Sequence, residues 1–172
     1  MNIRKTLLPC LASLAMCGMN GPAAAEGPVK IGMITTLSTG AGYLGQDVRD
    51  GFMLAVAEED GKLGGVPVEV IIEDDGLKPE IGKQLADRFL EQENVEIVTG
   101  LIFSNVAPVV APLALKAGAF YISPNAAPST FAGEACHENY FVVSWQNDSL
   151  HESAGIYANK LGYKKAYILA PN

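Results

Sequence analysis

The stretch VEIVTGLIFSN, residues 95–105, decides how this chain folds. Ile97, Val98, Leu101 and Ile102 form an apolar run, Gly100 interrupts it, and Ser104-Asn105 follow as a turn. Downstream, Val106, Val109, Val110, Leu113 and Leu115 recur at helical spacing. The pattern predicts a buried strand, a turn, then a helix. Ser104 or Asn105 suits the N-cap, where a side-chain oxygen takes an orphan backbone N–H. A helix that starts beyond a buried parallel strand also offers N–H groups to a small anion. Pro112 inside the apolar pattern is expected to kink that helix or delay its start.

The same alternation runs outward from this stretch. Upstream, VKIGMIT (29–35) reads as a strand, followed by a glycine-rich loop at 36–45. Val48, Phe52, Ala55, Val56 and Glu59 then mark a helix with one apolar face, ended by Gly61, Gly64 and Gly65. Residues 68–72 are a second strand, and Asp74-Asp75-Gly76 a turn. Pro79 suits a first helical turn, and Ile81, Leu85, Phe89 and Leu90 stripe the helix that ends near Asn94. Downstream, strands are expected at 120–123, 140–144 and 165–170. A helix between the last two carries Leu150, Ala154, Tyr157, Ala158 and Leu161. Alternating strands and helices define an α/β fold: a doubly wound, mostly parallel sheet with helices on both faces. The loops after the strands are long and rich in Ser, Asn and aromatics, whereas those after the helices are short. Open α/β sheets bind ligands at the carboxyl edge.

The first 25 residues read as a signal peptide. Arg4-Lys5 precede an apolar run, and Ala23-Ala24-Ala25 offer a cleavage site. The run is too short for the ~20 residues of a membrane span. Cys17 weakly resembles a lipoprotein box, but Met16 is bulkier than such a box requires. Cleavage near Ala25 and export to the periplasm are therefore expected, without membrane insertion. Removing 25 of 172 residues leaves 147, with all 19 acidic and 10 of 12 basic residues, a formal charge of −9. So acidic a surface argues against nucleic acid or an anionic membrane as partner. Cys136 alone remains of the cysteines, so no internal disulfide is expected.

Several chemistries can be weighed against this frame. Gly40, Gly42 and Gly45 match G-x-G-x-x-G between a strand and a helix, and a dinucleotide-dependent exported oxidoreductase competes on that motif. Four residues separate the strand from the first glycine, where the fingerprint wants a tight turn, and Asp74-Asp75 lie further on than its ribose acid. Cys136-His137 lacks the partners of a metal site, and Glu73-Asp74-Asp75 reads as a solvated turn rather than a cation site. Ser104, His151 and Asp148 can be combined on paper, but no nucleophile elbow surrounds Ser104. The expectation is a binding protein without catalysis, metal or cofactor. Its edge carries the hydroxyls of Ser38, Ser104 and Ser123, the amide of Asn125, and the aromatics Tyr43, Phe103 and Trp145. Hydroxyls and backbone N–H groups suit a carboxylate, and aromatic walls suit a flat or apolar body.

Five runs in order, VKIGMITTLSTG, GVPVEVIIEDD, VTGLIFSN, YISPNAAPS and FVVSWQND, resemble the branched-chain-amino-acid-type periplasmic binding proteins, the type I solute receptors of ABC importers. The resemblance implies a two-lobed receptor that closes over a small carboxylate and hands it to the permease subunits of an ABC importer. It implies that Ser104 and Asn105 lie in the loop that holds the carboxylate. Asn125, Ala126 and Ala127 would add contacts, and the loop bearing Ser38 and Tyr43 would line the mouth. Ala127 stands where amino-acid binders usually carry a hydroxyl, and Leu44 where a tyrosine is common. The run SPNAAPS…CHENYFVVSWQND looks more like receptors for aromatic acids, and Trp145 could stack on such a ring. The family is much longer than this chain. By that mapping, 26–145 is a first lobe lacking its return segment, and 146–172 starts a second lobe with one helix and one strand. A ligand-sensing domain of the same fold, feeding a signalling or regulatory protein, is the alternative.

Overall fold

The structure is a computed structural model that describes residues 27–169. The signal segment with its expected cleavage near Ala25, Cys17, and residues 170–172 lie outside that range. In chain order the elements are β1 (Val29–Thr35), α1 (Gly42–Glu58), β2 (Lys62–Leu63), β3 (Val66–Asp74), α2 (Pro79–Glu91) and β4 (Ile97–Thr99). Then come α3 (Ala107–Lys116), β5 (Phe120–Ser123), a 3₁₀ turn (Ser129–Ala132), β6 (Tyr140–Val142) and α4 (Asn147–Lys160). They form one sheet in the order β2-β3-β1-β4-β5-β6. All neighbours pair parallel except β2, which runs antiparallel to β3.

The strand order fixes where the helices lie. From β1 the chain crosses outward to β3, then turns back over β1 to β4 and on to β5. Right-handed crossovers place α1 on one face and α2 and α3 on the other. Two glycines show the same division. A Cβ on Gly32 would strike the ring of Phe89 on α2, whereas one on Gly45 of α1 would meet Thr35 Oγ1. The core fills the α2/α3 face. Phe89, Val98, Leu101, Val106, Val110 and Tyr121 are all fully buried there. Each large apolar side chain so buried contributes about 1.5–3 kcal/mol. Tyr121 stacks on Tyr140 at 5.2 Å between ring centroids, and Phe131 covers Tyr140 at 4.8 Å. On the other face, Phe120, Phe141 and Val143 stay exposed beyond the reach of α1.

The expected strands and helices stand close to their predicted places, with four differences. The glycines after α1 build a hairpin rather than a plain stop. Gly64 and Gly65, at φ of 57° and 83°, make the two-residue turn between β2 and β3 that needs positive φ twice. Neither Ser104 nor Asn105 caps α3. Its N-cap is Val106, without a side-chain bond, because the N–H groups of Val106 and Ala107 turn back onto the Phe103 carbonyl. Pro112 sits exposed inside α3 and does not delay its start beyond Ala107. Residues 165–169 of the expected last strand form no strand. They have no neighbour to complete a ladder: Tyr167, Ile168 and Leu169 are each more than 90% exposed. The helix before them fares likewise, for α4 buries none of its residues and its apolar stripe faces solvent.

Candidate functional site

The carboxyl ends of β1, β3, β4 and β5 meet at one edge of the sheet. At β1 and β3, the Asp74 carboxylate accepts from the N–H groups of Leu37 (2.8 Å) and Gly76 (2.9 Å). Burial pushes this carboxyl upward, but the Ser38 hydroxyl and the N–H groups of Leu37, Gly76 and Ser38 outweigh it and hold the pKa below its ordinary value. Ser38 is thus turned towards Asp74 at the rim. Next to it, Thr36 Oγ1 donates to the buried Asp75 Oδ1 at 2.6 Å, and the Leu77 N–H donates to the same oxygen. The two acids organise loops. Gly42 and Gly45 have a similar role: a Cβ on either would collide with the carbonyls of Leu37 or Thr36. These glycines let α1 approach the strand end closely, which accounts for the motif without a phosphate.

At β4 and β5 the loops are tied to each other and to α4. Asn125 Nδ2 donates to the Ile102 carbonyl at 2.8 Å, and the Ala126 N–H donates to Leu101 at 3.2 Å. Ser123, fully buried, donates from Oγ to the Ala126 carbonyl at 2.5 Å. It holds a loop and is out of a ligand's reach. Asn147, the first residue of α4, donates its N–H to the Ala127 carbonyl at 3.0 Å and its Nδ2 to Ser104 Oγ at 2.6 Å. Asn147 is the residue that sequence reasoning missed. Its place directly before Asp148 and Ser149 at a helix start was the available signal. Gln146 caps α4 by accepting from the Ser149 N–H.

The bonds draw Ser104, Asn125, Ala126, Ala127 and Asn147 into one cluster, with Phe103 and Asn105 on the same loop as Ser104. Ala126 spends both main-chain groups on protein partners. Among the described residues, the N–H groups of Ser104, Asn105 and Ala127 have no acceptor. Ala127 is only 3% exposed, and a main-chain N–H without an acceptor is costly wherever it is shielded from water. Tyr43 and Trp145 stand out from the edge, both more than half exposed. A hollow of about 200 Å³ lies beside the cluster, lined by Ala127, Pro128, Tyr140, Val142, Ser144 and Gln146 among others. Another, of about 410 Å³, opens at the opposite, amino edge around Leu90, Ile97 and Phe120, away from all these groups.

A mostly parallel sheet in this strand order, with its long loops gathered at the carboxyl edge, matches a partial lobe of the type I periplasmic-binding fold. The chain belongs to the periplasmic binding protein family, whose family model matches residues 28–172. It is 29% identical over 121 residues to the Leu/Ile/Val-binding protein homolog 6 of Brucella abortus, covering 70% of this chain and 31% of that protein. Among solved structures it is similar to an ABC-transporter solute-binding protein from R. palustris in complex with benzoate. That match has a TM-score of 0.73 and 27% identity, over 79% of this chain and 38% of the other. A second R. palustris solute-binding protein, in complex with 4-hydroxybenzoate, matches at a TM-score of 0.69 and 29% identity, over 79% and 37%. The chain spans about a third of the length of the curated relatives it matches. The family and these neighbours are solute-binding proteins rather than enzymes, and the family is periplasmic. No helix among the described residues is long and apolar enough to cross a membrane.

Proposed function

We propose that this chain carries the ligand-holding edge of an extracytoplasmic receptor that delivers a small carboxylate, of the benzoate type, to the permease subunits of an ABC importer. The observation that carries the reading is the Ala127 N–H, without an acceptor among the described residues, on a segment that Asn147 ties to the Ser104 hydroxyl. A carboxylate has acceptor sites to satisfy both at once. Ala127 adds no hydroxyl for an α-amino group, and the apolar Phe103 and the exposed Trp145 and Tyr43 suit a ring. Two similar proteins being solved with benzoate and 4-hydroxybenzoate supports an aromatic acid over an aliphatic one. On this reading residues 26–145 belong to a first lobe, and 146 onward leads into a second that closes the other side of the cleft.

The ¹⁵N-labelled chain, purified after export, tests it by titration with benzoate, 4-hydroxybenzoate, leucine and isoleucine. With one wall of the cleft, binding is expected to be weak, in the millimolar range. Amide shifts should be confined to 102–105, 125–127 and 145–148, and be larger for the benzoates. No shift at these amides with any of the four acids would remove the reading. Tight, stoichiometric heat in calorimetry would show instead that these residues suffice alone.

A further inference from the structure

We propose that Ser123 is a positioning residue of the carboxylate site: its buried hydroxyl grips the Ala126 carbonyl and so turns the 126–127 peptide to face its N–H towards the cleft. The inference rests on the receptor reading above and adds a residue that no ligand touches.

The geometry follows from the planarity of the peptide unit. In a trans peptide the C=O of one residue and the N–H of the next point in opposite directions, and the described chain has no cis peptide. The Ala126 C=O points inward, to Ser123 Oγ at 2.5 Å, at the very end of β5. Its plane-mate, the Ala127 N–H, therefore points away from Ser123. The remaining groups of the segment are fixed as well. The Ala126 N–H is held by the Leu101 carbonyl and the Ala127 C=O by the Asn147 N–H. Three of the four polar groups on these two residues are thus bonded inward or sideways, and the fourth has no acceptor among the described residues. Ser123 is fully buried and its hydroxyl is engaged by the Ala126 carbonyl, so of these groups the Ala127 N–H is the one left to meet a ligand. Without it, the 126–127 plane could flip, and the N–H would turn into the loop. Preorganised donors of this sort are what a binding or stabilising site spends its rigidity on.

The test compares the wild-type chain with Ser123→Ala and Ser123→Thr by ¹H–¹⁵N spectra during benzoate titration. The Ala127 amide should shift in the wild type. In Ser123→Ala its shift should collapse while the Ser104 amide still responds, and the dissociation constant should rise about five- to tenfold. Ser123→Thr, which keeps the hydroxyl, should restore the Ala127 response. Unchanged amide positions in β1 and β3 verify that each variant is folded. If Ser104 and Ala127 shift equally in the wild type and Ser123→Ala, the positioning role is wrong and the receptor reading stands. If the Ala127 response falls in both variants alike, the hydroxyl is not the cause and the role is again wrong. If no cleft amide moves in the wild type, the receptor reading fails and takes the positioning role with it.

Discussion

Asn147 donates its side-chain N–H to the Ser104 hydroxyl across 2.6 Å, which fastens the first turn of α4 to the start of the β4–α3 loop. Little else holds this helix, for none of its residues is buried. Asn147→Ala should therefore release α4 as a unit. Amide exchange along 147–160 should quicken about fivefold or more, as loss of one hydrogen bond of about 1 kcal/mol implies. Exchange in β1 and β4 should stay as it was. Hydrogen exchange read by mass spectrometry checks both halves of the statement.

Gly82 lets α2 lie against α3. A Cβ there would meet Val106 Cγ1 at 2.5 Å and Val110 Cγ2 at 3.4 Å. Gly82→Ala is expected to cost about 1–3 kcal/mol by overpacking. Gly51, inside α1, has nothing within 4 Å of such a Cβ, so Gly51→Ala should stabilise by about 0.5–1 kcal/mol through helix propensity alone. Urea melts of the two variants should move in opposite directions.

Asp74 makes the fold sensitive to acid. Its pKa lies below the ordinary 3.8 in the folded state, so its contribution is complete above that value and is lost as the pH falls through the lower, folded one. Stability should therefore decline below about pH 4. In Asp74→Asn that part of the slope should flatten, and at neutral pH the loops at 36–45 and 75–78 should loosen. Chemical melts at several pH values, with the wild type beside the variant, measure the difference.

Residues 163–169 should be the first place a protease enters. They carry no regular structure, and Tyr163, Tyr167, Ile168 and Leu169 are 66–97% exposed. Brief trypsin treatment should cut at Lys164 or Lys165 well before any site within β1 to β6. Mass spectrometry of the first fragments decides it.

Most of the architecture could be read from periodicity because α2, α3 and the inner strands bury one face each. Phe89 and Val98 announce that burial in the sequence as clearly as in space. Two of the misses share a cause: they depend on a partner rather than on local pattern. Residues 165–169 have a strand's composition but no neighbour to pair with, and the stripe on α4 has no surface to cover. The hairpin at Gly64-Gly65 was hidden because two glycines read equally well as a helix stop. At the candidate site, Ser104 and Asn125 stood out by residue type. Asn147 and the orientation of the Ala127 N–H did not, since both arise from bonds across loops distant in sequence.

The hairpin has a consequence for assembly. On one flank the sheet finishes in two residues, Lys62 and Leu63, folded back by their own turn and too brief to template anything. On the other it finishes in Tyr140–Val142, whose outer rim no described strand occupies. The hairpin therefore shields only Val66 and Pro67: among the described residues no strand lies along the outer side of β3 from 69 to 74, nor along β6 next to the bare rings of Phe120 and Phe141, so an incoming ribbon of backbone has two rims to choose from.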